Sequence, residues 1–326
     1  MVNPDLSEPV SVLLRHGTKQ AHEQAEHSPG AGWLTRGELD RSEYVRFLMM
    51  LHVIYSTLEE ALDAHQAHPV LKTTYNPSVL ARKEYIALDI AYFLGADSHA
   101  LKDHPAYLSF TSNMPSQVSA YVHRLRHISS NPTNLKDGDA RLLLAHAYVR
   151  YLGDLSGGQF IRRRIAKVYN LPNTGEGVKF YTFVTSAGEG EAGMQEMKDL
   201  KDWYRDGMDL GVGDDHNLKG GSPLFIPIAL MLSCEAALVD EAILAFKLNQ
   251  DLFTALRPPT HLETMTLPTS PNPSTTPPKL EPMDTVDKSN ALTPSNTFTL
   301  FMGLLIGTVL FLFYTASSMT STTLNA

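Results

Sequence analysis

Two short runs of the chain carry side chains whose types and spacing could do chemistry. The first is Arg150-Tyr151-Leu152-Gly153-Asp154-Leu155-Ser156-Gly157-Gly158-Gln159, inside an apolar pattern of helical period that runs on to Ile161, Ile165 and Val168. Glycines inside a helix cost roughly 1 kcal/mol each relative to alanine, which a chain tolerates where backbone must kink or another body must come close. Gly153 and Gly157 share a face, as do Asp154 and Gly158. The run therefore offers a bare helical surface beside one carboxylate, wide enough for a flat ligand. Tight helix–helix packing through small residues, with Asp154 merely solvated, is the competing reading. Ser156 is one position out of the Gly-x-Ser-x-Gly frame and no Gly-Lys-Ser/Thr ending follows, which excludes a nucleophile elbow and a phosphate loop.

The second run is Leu14-Arg15-His16-Gly17-Thr18-Lys19-Gln20-Ala21-His22-Glu23-Gln24-Ala25-Glu26. On an uninterrupted helix Arg15, Lys19, His22 and Glu26 fall on one face, at about 100° per residue. A histidine with cations one and two turns earlier suits an iron porphyrin, since imidazole can ligate the metal while the cations meet acidic side groups. Glu26 could accept the other ring N–H, directly or through water, and so set the tautomer. The alternative is a polar helix face with an ordinary surface histidine. His123 with His127, and His65 with His68, are spaced to touch one metal, but neither pair has a third ligand nearby, and ordinary surface or core histidines are expected. Arg162, Arg163, Arg164 and Lys167 read first as a solvated basic face.

Helices must position both runs. Apolar residues recur at helical spacing over 45–62, 140–169 and 226–256, and no sustained period-2 alternation competes, so an all-α domain is expected over 8–257. Asp137 or Asp139 can cap the segment that begins near Ala140. The stretch 206–223, DGMDLGVGDDHNLKGGSP, reads as a polar, glycine-rich loop. Between Arg257 and Thr297 nine prolines and many Ser and Thr residues mark an extended linker, 258–296, that cannot offset its ordering entropy by burial. Residues 297–316 include FTLFMGLLIGTVLFLFYTA, which has no charged side chain and is long enough to span a bilayer; 317–326 form a short polar tail. With Lys288 the last charged side chain, the larger domain is expected on the cytosolic side. No basic n-region precedes an apolar stretch at the N-terminus, so no cleavable signal peptide is expected. Net charge is −8, which speaks against a general nucleic-acid surface, and a lone cysteine, Cys234, excludes an internal disulfide or a cysteine-built metal site.

The two chemical runs closely resemble the proximal and distal helices of eukaryotic haem oxygenases, the second from Ala145 to Gln159. Ile54-Tyr55 with Leu58-Glu59-Glu60, Leu171-Pro172 with Gly175-Glu176-Gly177, Tyr204-Arg205, and Leu248-Asn249 with Leu252-Phe253 fit in the same order, so the resemblance covers about residues 10–257. It implies a single catalytic domain, 1–257, holding haem b between a proximal and a distal helix, with His22 as the iron ligand. Asp154 is then the distal carboxylate that organises proton delivery, with Arg150 and Tyr55 as partners. Gly153 and Gly157 let the distal helix lie on the ring. Arg15, Lys19, Tyr148, Lys201 and Arg205 meet the propionates, Lys201 being placed only by its distance from Arg205. The implied reaction is cleavage of haem at the α-meso carbon with O2 and electrons from NADPH through a reductase of the NADPH–cytochrome reductase type, giving biliverdin, CO and ferrous iron. The basic run 162–167 becomes a docking surface for that acidic partner. The family's membrane-bound members share the linker and anchor, which implies a monomeric catalytic domain tethered to the endoplasmic reticulum. The chain is longer than the animal pattern between Phe183 and Tyr204 and between Arg205 and Phe246. Two other classes compete. A membrane-tethered haem carrier would keep His22 and its cations but need no distal acid; a helical hydrolase would need a nucleophile, and Cys234 falls in an apolar helical stretch.

Overall fold

In the computed structural model, residues 8–130, 139–185, 190–218 and 228–260 are described. They belong to one compact unit, Met1–Pro268, and they are helical as the periodicity requires; an isolated bridge, Val184 to Glu191, is the one β-pairing among the described residues. The helices are α1 Val10–Gly17, α2 Lys19–Glu26, α3 Pro29–Arg36, α4 Arg41–Ala64, α5 Pro77–Leu80, α6 Lys83–Leu94, α7 Pro105–Ser112, α8 Ser116–Ser130, α9 Leu143–Ser156, α10 Gly158–Val168, α11 Met194–Leu218 and α12 Ile228–Thr254.

α4 and α12 are the two elements around which the others pack. α4 lies against α6, α8 and α9, and α12 against α9, α8 and the N-terminal α1, α2 and α3. Leu48, Met50, Leu51, Ile54, Tyr55 and Leu58 are all buried on α4, more than one face of it, which is how an enclosed rather than a surface helix behaves. Element ends follow local chemistry. Pro29 opens α3 at its first turn, and Gly37 closes it in the left-handed region (φ 66°), where a glycine has no Cβ penalty. Asp139 accepts from the Arg141 backbone N–H at 3.0 Å and so caps the turn that leads into α9.

Three sequence expectations change in detail. The first chemical run is not one helix: the chain breaks at Thr18, a buried residue whose Oγ1 donates to Leu14 O at 2.6 Å, so Arg15 lies on α1 while Lys19, His22 and Glu26 lie on α2. The distal pattern 140–169 is interrupted at Gly157, between α9 and α10. The loop expected over 206–223 is helix up to Leu218. Two of its glycines, Gly207 and Gly211, serve packing rather than looseness. A Cβ on Gly207 would stand 2.6 Å from Thr73 O, and one on Gly211 2.6 Å from Val70 O, closer than any real contact. Met208 and Val212 are buried on the same helix, and Asp209 accepts from both the backbone N and the Oγ of Ser11, tying α11 to α1. Among the described residues no helix is long and apolar enough to cross a membrane; the expected linker 258–296 lies almost wholly, and the anchor 297–316 wholly, outside them.

One buried acid supports the start of α10 from behind. Asp89, on α6, accepts from the Lys179 and Phe180 backbone N–H groups at 2.8 Å each, fixing the turn that carries Tyr181. Tyr181 packs where a Cβ on Gly158 would be 3.0 Å from its ring, and its carbonyl accepts from Gln159. Burial pushes Asp89 up to about 7, against the pull of those N–H groups. A carboxyl raised in the folded state above its unfolded value favours folding most when protonated. Its contribution is therefore fully present below about pH 4 and lost as pH climbs through about 7. Thermal melts across that window are expected to show a flatter pH dependence for Asp89→Asn than for the parent chain; a parallel curve would contradict the assignment.

Candidate active site

Tyr55, Arg150 and Asp154 come together from α4 and α9. Tyr55 Oη donates to Asp154 Oδ2, Arg150 Nε donates to Tyr55 Oη at 3.1 Å, and Arg150 Nη2 lies 3.8 Å from Asp154 Oδ1. Asp154 is 7% exposed. Burial raises its carboxyl to about 6, while the Arg150 charge and the Tyr55 hydrogen bond pull the other way. Burial also lifts the Tyr55 phenol well above its ordinary range. For Arg150 burial opposes the charge, but Tyr55 and Asp154 outweigh it and keep the guanidinium protonated. A carboxyl poised near 6 inside a hydrogen-bonded cage is suited to hold and release a proton near neutral pH.

Beside this acid the helix is bare. Gly153 and Ser156 on α9, and Gly157 just after it, are exposed beside the buried Leu152, Asp154, Leu155 and Gly158. A Cβ on Gly153 would meet nothing within 4 Å, and one on Gly157 only Gly153 O at 3.7 Å. The glycines are thus not filling a helix–helix contact, and the small-residue packing alternative does not apply at this face. What they leave is an open, flat surface of backbone next to a carboxylate.

The basic residues gather at a second point. Tyr148, one turn before Leu152 on α9, hydrogen-bonds Thr18 at the α1–α2 break, and the charges of Arg205 and Arg15 both act on its phenol; burial is the larger influence and raises it. Three separate helices, α1, α9 and α11, therefore bring Arg15, Tyr148 and Arg205 into one neighbourhood. Lys201 lies one turn before Arg205, and burial, then the Arg205 charge, lowers its ammonium. Lys19 is exposed on α2, three residues before His22.

His22 is 53% exposed at its side chain, with Nδ1 3.7 Å from Glu26 Oε2, beyond direct hydrogen bonding. Its ring meets the edge of Phe246 on α12, centroids 5.5 Å apart. Asn249, three residues further along α12, accepts from Arg150 Nη1. One turn of α12 thereby touches both the imidazole side and the acid side of the site.

These donors fit an iron porphyrin: a solvent-accessible imidazole, a bare helical face, and cations with a phenol set apart from the acid. The Heme oxygenase family model matches residues 8–210. The chain is 32% identical over 252 residues to Heme oxygenase 1 of Gallus gallus, covering 77% of this chain and 71% of that one. The chain belongs to the haem oxygenase family. It is also 31% identical over 258 residues to Heme oxygenase 2 of Oryctolagus cuniculus, spanning 66% of that protein's length. Among solved structures, heme oxygenase-1 of Synechocystis in complex with heme superposes with a TM-score of 0.59 at 26% identity, covering 79% of this chain and 97% of that one.

The haem oxygenase fold here also assembles residues that sequence reasoning assigned no role. Asn249 Nδ2 donates to Tyr121 Oη, Tyr121 meets His146 Nδ1 at 3.3 Å, and His146 Nε2 meets Glu241 Oε1 at 2.8 Å. His146 and Glu241 are buried polar residues within apolar helical patterns, the one signal that could have singled them out. The basic run divides: Arg162 pairs with Glu191 and Arg164 donates to Arg36 O at 2.7 Å, leaving Arg163 and Lys167 as its exposed members. His65 meets Ser129 O at 2.9 Å, the His123 and His127 rings lie tilted 55° to one another with centroids 6.3 Å apart, and no cluster of three or more metal-ligating side chains occurs among the described residues.

Proposed function

We propose that the chain opens haem b at its α-meso carbon, using O2 and electrons relayed from NADPH by a partner reductase, and releases biliverdin, CO and ferrous iron. The observation that carries this is the buried Asp154, caged by Tyr55 and Arg150 directly beside a bare glycine face. A haem carrier has no use for that arrangement. Bound haem supplies both the metal that activates dioxygen and the ring that is oxidised.

The chain's own residues then have distinct tasks. His22 holds the metal from α2, and Glu26 is near enough to steady its far nitrogen through one water. Arg15, Lys19, Lys201, Arg205 and Tyr148 hold the propionates and set which ring edge faces inward. Gly153 and Gly157 allow the distal backbone to lie against the ring, where any side chain would hold it away. Asp154 keeps a proton close to the reacting edge, and Tyr55 and Arg150 keep Asp154 aimed. Arg163 and Lys167 offer the reductase a positive surface. The uncharged stretch within 297–316 anchors the chain in the endoplasmic reticulum membrane, leaving the catalytic domain monomeric in the cytosol.

Adding haem, a cytochrome reductase and NADPH to the full-length chain is the direct test. Loss of the haem absorption with growth of a biliverdin band is expected; a stable haem spectrum under reduction and oxygen would instead support storage.

A further inference from the structure

The polar chain behind Asp154 runs unbroken to α8 and α12, and its donor and acceptor roles are not free. Arg150 has only N–H donors. Asn249 must therefore turn Oδ1 to Arg150 Nη1, leaving its amide Nδ2 to donate to Ala245 O at 2.7 Å and Tyr121 Oη at 3.3 Å. Tyr121 accepts there and has one proton left to give. Its remaining neighbour is His146 Nδ1, at 3.3 Å. A ring nitrogen that accepts carries no proton, so the His146 proton belongs on Nε2, where Glu241 Oε1 stands at 2.8 Å. Glu241 is gripped in turn by Arg124, whose Nε donates to Oε1 at 2.9 Å and whose Nη2 donates to Oε2.

We propose that Glu241, held by Arg124, fixes the tautomer of His146 and thereby the direction of every hydrogen bond through Tyr121 and Asn249 to Arg150. Arg124, Glu241 and His146 are positioning residues: none touches the glycine face, and their effect reaches Asp154 only through Arg150 and Tyr55. Guanidinium and amide links do not pass protons along, so the chain is a device for orientation rather than a conduit. His146 is fully buried, and the groups facing it are Tyr121 and Glu241, with Arg124 behind the latter. Burial works against the Glu241 charge, yet the hydrogen bonds from Arg124 and His146 hold its carboxyl down at about 2, so it remains an acceptor throughout the working range. The link to catalysis rests on the reading of Asp154 given above; the link to Arg150 does not.

Glu241→Leu removes the acceptor with little change of volume. The Nε2 proton then has no partner, so the imidazole proton moves to Nδ1 and points at Tyr121 Oη, which already receives Asn249. The tyrosine proton then has nowhere to go. Glu241→Gln alone does not move the tautomer, because Oε1 takes both Arg124 Nε and His146 Nε2, and a carboxamide oxygen in that place can accept both. R124M/E241Q abolishes the ion pair yet keeps that oxygen for Nε2–H, and so keeps the parental tautomer.

The test is long-range 1H–15N correlation on the full-length chain in detergent, without haem, together with solvent exchange of the Arg150 Nε–H. For the parent chain the His146 pattern should be that of a neutral ring protonated at Nε2. E241L should move the proton to Nδ1 and speed Arg150 exchange by about tenfold; R124M/E241Q should do neither. With haem and reductase, kcat for biliverdin should fall about tenfold in E241L, the low end for lost supporting contacts, with KM for haem unchanged. A parent His146 that is doubly protonated or protonated at Nδ1 overturns the proposal, even if E241L does not fold. So does an E241L chain whose tautomer stays put or changes without loosening Arg150. An R124M/E241Q chain that behaves like E241L overturns it too, because a merely structural ion pair predicts that both variants lose alike. Tautomer and exchange are read without haem, so they decide the positioning claim whether or not biliverdin forms.

Discussion

Replacing Asp154 by alanine is expected to leave haem binding within about twofold of the parent while cutting biliverdin formation by about 10² to 10⁴, the usual span for loss of a positioned acid. The separation follows from where the groups lie. His22 is on α2 and the cationic cluster spans α1, α9 and α11, whereas Asp154 touches Tyr55 and Arg150 alone among the site residues. Truncation does strand a buried guanidinium, which can cost several kcal/mol of stability. Asp154→Asn keeps the shape and an acceptor for Tyr55, so it should lose activity to a similar degree while melting closer to the parent. Haem titration, melting and product spectra on both variants separate the effects. Undiminished biliverdin from either variant would remove Asp154 from the chemistry.

The second large effect is expected at His22. Its alanine variant should lose the imidazole signature in the ferric spectrum and weaken haem binding on the order of a hundredfold, each factor of ten being about 1.4 kcal/mol. The fold should barely respond. The side chain is half exposed, and among the described residues its ring contact is with the edge of Phe246. A change in spectrum with an unchanged melt thus points to ligation, not collapse. An unaltered axial-ligand spectrum in His22→Ala would sink the assignment and, with it, the orientation of the whole site.

Much of this was legible in the residues, for physical reasons. Period-3.6 patterning placed α4, α9 with α10, and α12 to within a few residues, because their apolar faces are what the core buries. The costly glycines at 153 and 157 announced an open face, and the face is open. Glycines 207 and 211 misled for the complementary reason. Composition cannot distinguish a glycine that loosens a loop from one that lets a helix touch another segment's carbonyls, and here the carbonyls of Val70 and Thr73 decide. The break falls at Thr18, whose backbone N–H and hydroxyl both donate to Leu14 O, a local arrangement that no face-counting foresees. His146, Glu241 and Tyr121 lay hidden because a helical wheel treats a buried polar residue as noise until its partners, more than 90 residues away for His146 and Glu241, are seen.

Thr18 and Gly157 interrupt the helices on either side of the site, each in mid-course. Neither interruption breaks the ladder of hydrogen bonds: Thr18 N–H reaches Leu14 O at 3.0 Å and His22 N–H reaches Thr18 O at 2.8 Å, while Gly157 N–H reaches Gly153 O at 2.9 Å. Thr18 nevertheless leaves helical dihedrals, at φ −94° and ψ 0°. Arg15 and His22 therefore do not keep the register that seven residues of one straight helix would give them. The direction in which the imidazole looks is set by a bend as well as by a spacing.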